Sequence, residues 1–196
     1  MGFRFDVRKA AEAAAFLLGR EPGRAMTRIR LIKLLYLADR RSLELTGRPI
    51  TGDRVVAMKH GPVLSNTYDC IKGECVHQSA WDAHFVSEGH AVRLVSAPDM
   101  LYLSRHECDT LEYVFSTYGA LDEWAIVDET HNLPEWHDPG NTSLNIPYAD
   151  ILGAVGRGGQ AEQILRDARA DAAVDRLLEE AEARVRAGQA AGEAKP

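Results

Sequence analysis

The sequence predicts a mainly α-helical α+β fold: a helical domain with a small antiparallel β-sheet, followed by a long C-terminal amphipathic helix. Three observations carry this reading. Apolar residues recur at helical spacing between Thr27 and Gly47, short extended runs bounded by Gly and Pro occupy the middle of the chain, and residues 160–187 alternate apolar with charged positions at a helical period. The chain has 196 residues, 45% hydrophobic and 27% charged, enough for one soluble domain with an extension. We divide it into a domain over 5–150, a hinge and C-terminal helix over 151–187, and a disordered tail over 188–196.

Taken in order, Asp6 is an N-cap for a helix running through alanines to Leu18, with Gly19 as a left-handed stop. Thr27 caps a second helix in which Ile29, Ile32, Leu35, Tyr36 and Leu43 share a face, and Leu31, Leu34 and Leu37 widen it. Such a helix is buried on most sides. Turn formers over 47–52 reverse the chain before the strand Val55–Met58. Pro62 after His60 and Gly61 suits the first position of a helix continuing through Val63 to Ile71, since proline lacks an N–H that would be unpaired there. Extended pieces at 84–86, 91–95 and 100–103 predict a three-stranded meander. Ser104 with Glu107 forms a capping box for a helix to Tyr118, and a further helix covers about 121–130 before Pro134. The Asn, Pro, Asp and Gly residues of 132–147 make an irregular connection, and the glycines between 153 and 159 a flexible hinge. Beyond it, Ile164, Ala168, Ala172, Leu178, Ala181 and Val185 are expected on one side of the long helix, which either packs on its own domain or serves another chain.

Composition excludes several classes. Net charge is −6 and no apolar run reaches the 18 residues of a membrane span, so no membrane role is expected. The start lacks the pattern of a secretory signal, which points to the cytoplasm. There Cys70, Cys75 and Cys108 are expected as thiols, not as a disulfide framework. Charge is uneven: residues 1–54 carry 12 Lys+Arg against 6 Asp+Glu, while 55–196 carry 11 against 23. The fold either brings these parts together or leaves a basic patch, containing Arg20, Arg24, Arg28, Arg30, Lys33, Arg40 and Arg41, for a partner. No helix-turn-helix or aromatic RNA-binding signature accompanies that patch, so direct nucleic-acid binding is not expected.

Motifs for catalysis are sparse. Cys70, Cys75, His77, His106 and Cys108 do not have the paired spacing of common zinc sites, and no metal or cofactor is expected. Cys70, Ser65, Asp128 and His131 form a nucleophile and base only on paper. There is no Gly-x-Ser-x-Gly elbow, His-Glu-x-x-His helix or phosphate loop, so binding rather than enzyme activity is the expectation.

At Lys33-Leu-Leu-Tyr-Leu-Ala-Asp39, followed by Gly47-Arg-Pro-Ile-Thr-Gly-Asp53, Ala57 and His60-Gly-Pro-Val63, the chain resembles the Panacea domain of SocA-like antitoxins, a family that includes phage-associated GepA-like proteins. Tyr68 fits the same pattern, and Thr130-His131 with Glu135-Trp136 is similar to the family's second signature. The resemblance covers about residues 5–150. It implies an antitoxin that neutralises a protein toxin encoded by an adjacent gene, by direct binding or by delivery to an ATP-dependent protease, and it implies no cofactor. Some members carry an added DNA-binding domain, of which the sequence has no sign. The motif residues are Lys33, Tyr36, Asp39, His60, Gly61, Pro62, Tyr68, His131, Glu135 and Trp136. For Lys33, Asp39, His60 and His131 two readings stand: a polar network pinning helices to a hairpin, or partner contact. Trp136 is either a lid on the core or an exposed anchor.

Overall fold

The computed structural model describes residues 2–193, with side chains to residue 185. Helix α1 (Val7–Leu18) begins where the Asp6 carboxylate accepts the N–H groups of Arg8 (2.9 Å) and Lys9 (3.4 Å). Its small side chains Ala10, Ala13 and Ala14 are fully buried, letting its backbone lie close to α2 (Arg28–Thr46) and α5 (Arg105–Tyr118). Gly19 ends α1 in an ordinary right-handed conformation, φ −62°, rather than the expected left-handed one. Helix α2 is the axis of the fold. Thr27 caps it, Gly47 closes it at φ 77°, and residues 31–39 are buried all round, as its wide apolar pattern requires.

Around α2 lie two small antiparallel sheets. In one, β1 (Ala25–Thr27) pairs with β5 (Ala91–Leu94), which pairs with β4 (Phe85–Glu88). The third strand is thus β1 and not the expected segment 100–103. The reason lies in Glu12: buried on α1, its carboxylate accepts the N–H groups of Leu101 (2.6 Å), Tyr102 (2.9 Å) and Leu103 (2.8 Å), which are then unavailable to a ladder. In the other sheet, β2 (Val55–Met58) lies between β3 (Gly61–Leu64) and β6 (Leu144–Asn145).

Pro62 therefore sits in β3 opposite Ala57, not at the start of a helix. As an edge strand, β3 tolerates the missing donor. Helix α3 (Ser65–Lys72) begins three residues later, and Asp53 caps it from a distance, accepting Asn66 N (2.9 Å) and Thr67 N (2.8 Å). Cys70, at the buried end of α3, is joined to Cys75 by a disulfide, with Cα atoms 4.6 Å apart, correcting the expectation of free thiols. Short α4 (Gln78–Asp82) follows and buries Trp81. The predicted capping box opens α5, and α6 (Glu123–His131) follows from Asp122.

After α7 (Tyr148–Ala154) the expected flexible hinge is a docked corner. Arg157 donates to the carbonyls of Glu44 (2.6 Å) and Leu45 (2.7 Å), capping the end of α2 with a cation. Helix α8 (Ala161–Glu193) starts there. Its first turns pack on the body through Ala161, Ile164, Leu165 and Ala168. Of the tail expected over 188–196, the backbone to Glu193 continues α8 and the remainder lies outside the described residues. The uneven charge is largely resolved internally: Arg4–Glu179, Lys9–Glu107, Arg20–Glu112, Arg40–Glu135 and Arg48–Asp171 each join the basic N-terminal part to the acidic remainder. No helix among the described residues is long and apolar enough to cross a membrane.

Candidate functional site

Helical spacing sends the motif residues of α2 in different directions. Lys33 points at β3, where its Nζ donates to Pro62 O at 2.7 Å while the side chain is 1% exposed. No carboxylate forms an ion pair with it among the described residues. Burial alone pushes this amine down to about 7. Gly61 makes room for it: at φ 92° it occupies a conformation natural to glycine, and a Cβ there would stand 2.6 Å from Thr130 Oγ1 and 2.8 Å from Lys33 Nζ.

One turn along α2, the Tyr36 hydroxyl donates to Glu135 Oε1 at 2.6 Å, and Arg40 Nε donates to the same oxygen at 2.7 Å. This ties the irregular 132–137 segment to α2. Burial, and then the Glu135 charge, raises the Tyr36 phenol well above its ordinary value. Asp39 turns toward the 47–53 reversal, accepting Ile50 N (3.0 Å), Thr51 N (2.9 Å) and Thr51 Oγ1 (2.5 Å). Its burial pushes the carboxyl up to about 7 against the pull of these bonds. Asp53 follows the same pattern, raised by burial while it holds the start of α3. Tyr148 donates to Asp53 O at 2.6 Å and closes the far side of this turn.

His131 stacks on Trp136, with centroids 4.1 Å apart and planes 13° from parallel. Its Nε2 is buried without a hydrogen-bond partner, and burial followed by the nearby Lys33 charge lowers its basicity. Trp136 is half-buried against the core and donates Nε1 to Met58 O (3.3 Å), so it acts as a lid. His60 is exposed at the β2–β3 turn and meets Trp124 edge-on at 5.6 Å.

The fold therefore gathers Lys33, Gly61, Pro62 and His131 around one buried amine, with Tyr36, Glu135 and Trp136 beside them. Asp39 serves the neighbouring turn, and Tyr68 stands apart on α3 with Lys72 over its ring at 5.2 Å. Sequence reasoning missed the parts played by Arg40, Thr130, Asp53 and Glu12. Arg40 follows Tyr36 at i+4, a spacing that puts both on one face, but nothing local foretells that Glu135 returns to meet them. The catalytic arrangement drawn on paper is dispersed: Cys70 is bonded to Cys75, and Ser65 Oγ accepts Arg54 at 2.6 Å.

The block that forms this network coincides with a known domain. The antitoxin SocA-like, Panacea domain family matches residues 31–137, from the buried face of α2 to the residue after Trp136. This chain belongs to that family. No curated protein and no solved structure matches it. In this Panacea-domain protein α1, α7 and α8 lie outside the matched segment, yet α1 packs on both α2 and α5 and α7 on α2.

Proposed function

We propose that this protein is an antitoxin that neutralises a protein toxin by binding it directly, with no catalytic step of its own. The observation that carries the reading is the family match over residues 31–137. What supports it physically is the use made of the motif residues. Lys33, Tyr36, Asp39 and Glu135 spend their polar atoms on the backbone and side chains of the same domain, joining α2 to the hairpin, the reversal and the 132–137 segment. Such a braced domain is a preorganised platform, which lowers the entropy cost of association. A toxin buried over an interface of roughly 1,600 Å² would have its active surface occluded.

The test is growth of cells expressing the product of the adjacent open reading frame, with and without this protein, followed by co-purification. Rescue with a stable complex supports direct neutralisation. Rescue in which the toxin disappears, and only in cells with an intact ATP-dependent protease, replaces it with the proteolytic-adaptor reading. Absence of both toxicity and complex overturns it. Deleting 160–196 is a poor variant for this purpose, because Ala161 and Leu165 belong to the core packing and Leu165 lies against Gly2. Truncation after Ala173 leaves that packing in place.

A further inference from the structure

Of the three tryptophans, Trp81 is buried and Trp136 half-buried against the core, while Trp124 on α6 is 54% exposed. An exposed anchor, one of the two roles weighed for Trp136, is therefore present at Trp124 instead. The His60 ring, itself exposed, meets this indole edge-on at 5.6 Å. Lys33, Tyr36, Asp39 and Glu135 spend their polar atoms inside the domain, whereas the His60 ring makes no hydrogen bond among the described residues.

The charges of α6 oppose its own stability at one end. Asp122 caps the helix and Glu123 lies in its first turn, where the positive end of the helix dipole favours acids. Asp128 and Glu129 stand in the last turn, where the negative end disfavours them. Both are exposed, the helix contains no Lys or Arg, and neither acid enters an ion pair among the described residues. His131, the basic residue of the same turn, does not answer them, because burial and then the Lys33 charge lower its basicity against the pull of Asp128. On the adjoining hairpin turn the cation beside His60 is Lys59, exposed and also without an ion pair among the described residues. At about 100° per residue Trp124 and Asp128 share one side of α6, and Glu129 follows on its outward face. A local rule broken with no internal compensation marks a surface kept for something outside the chain.

We propose that the exposed side of α6, formed by Trp124, Asp128 and Glu129, is a contact surface that receives an arginine side chain of the protein toxin, a proposal that rests on the antitoxin reading above. A guanidinium stacks on the open indole and reaches a carboxylate one turn along the helix. Arginine suits this place better than lysine, being planar and more weakly hydrated. Two unpaired acids against Lys59 give the surface its preference for a cation, and they oppose nucleic-acid phosphates, an anionic membrane and the pairing of two α6 faces.

The experiment titrates purified full-length protein with the product of the adjacent open reading frame. It compares wild type with Trp124→Ala and with Asp128→Asn/Glu129→Gln, and records the thermal unfolding of each protein alone. The expected result is a wild-type complex weakened at least about thirtyfold by the alanine and at least about tenfold by the neutral pair. Wild-type affinity should fall as salt is raised, and that of the neutral pair should fall less. Unfolding separates contact from a structural role: the neutral pair should melt at or above the wild-type temperature, because it removes acids from the negative end of α6. Equal affinity of wild type and both variants overturns the contact surface while leaving the antitoxin reading intact, as does weaker binding by a neutral pair that melts below wild type. No wild-type complex overturns the antitoxin reading and with it this proposal. A homodimer of the chain alone that Trp124→Ala dissociates also overturns it, since a second copy would then cover the indole.

Discussion

Replacing Lys33 by methionine keeps the length and apolar stem of the side chain while removing the amine. The wild-type amine is 1% exposed, has no acid partner among the described residues, and is pushed down from 10.5 to about 7 by burial. The unfolded chain therefore binds the proton more readily than the folded one. Below pH 7 both states are protonated and the full penalty of burying the charge is present. Between pH 7 and 10.5 it is relieved as the folded amine becomes neutral, so wild-type stability should rise with pH by a little over about 1 kcal/mol per unit. Asp39 acts in the opposite sense at lower pH. Its carboxyl is raised to about 7, so its contribution is greatest in acid and is lost as pH rises from about 4 to 7. That contribution is common to both proteins and cancels in the difference. Urea unfolding of wild type and Lys33→Met at pH 6, 7, 8, 9 and 10 should show the difference moving toward wild type by about 3 kcal/mol between pH 7 and 10. At high pH wild type should be the more stable by about 1–3 kcal/mol, because methionine leaves Pro62 O buried without its donor. A difference that does not vary with pH refutes the reasoning: the amine would then titrate as it does in water.

Three further outcomes follow from the packing. Gly61→Ala should cost more than Gly23→Ala by at least about 1 kcal/mol in the same assay, since both glycines have positive φ but only at Gly61 would the Cβ meet Thr130 and Lys33. Equal costs would mean that the space around Lys33 is not tight. Glu12→Gln should destabilise by about 3 kcal/mol, because the amide turns donors toward the N–H groups of 101–103, and hydrogen exchange of Leu101, Tyr102 and Leu103 should accelerate. Unchanged exchange would show that another group holds this segment. Thiol titration of the denatured, unreduced protein should find Cys108 alone, and reduction should release Cys70 and Cys75 with a loss of about 2 kcal/mol, as expected for a loop this short. Reaction of all three cysteines before reduction would refute the pairing.

Much of the helical fold was legible because its signals are local. The Asp6 and Thr27 caps and the Ser104–Glu107 box act within one turn, and the burial of α2 follows from apolar residues on nearly every side. The strand Val55–Met58 was legible for the same reason. The candidate site was legible only as a set of residues carried by resemblance. Which of them meet depends on contacts far apart in sequence, such as Tyr36 with Glu135, and those have no local signature.

Reading Pro62 as a helix start applied a sound rule at the wrong boundary. A residue without an N–H suits a helix start or an edge strand equally, and pairing with Ala57 decided between them. The meander failed because Glu12, an acid among alanines in α1, withdrew the donors of 101–103 from any sheet. Arg157 likewise turned a glycine-rich join into a fixed corner by reaching the end of α2.

By itself the sequence determined the number and type of most helices, the wide apolar face of α2, and the motif by which the chain resembles the SocA-like, Panacea domain family. Periodicity, capping and motif spacing are written in neighbouring residues. Only the tertiary structure decided that Lys33 is a buried amine without an acid, that β1 completes a sheet, that Cys70 and Cys75 pair, and that α8 is anchored by its first turns while Val174, Leu177 and Val185 beyond them stay exposed. These depend on which distant groups compete for the same donors, cavities and charges, and that competition is settled only when the chain has closed on itself.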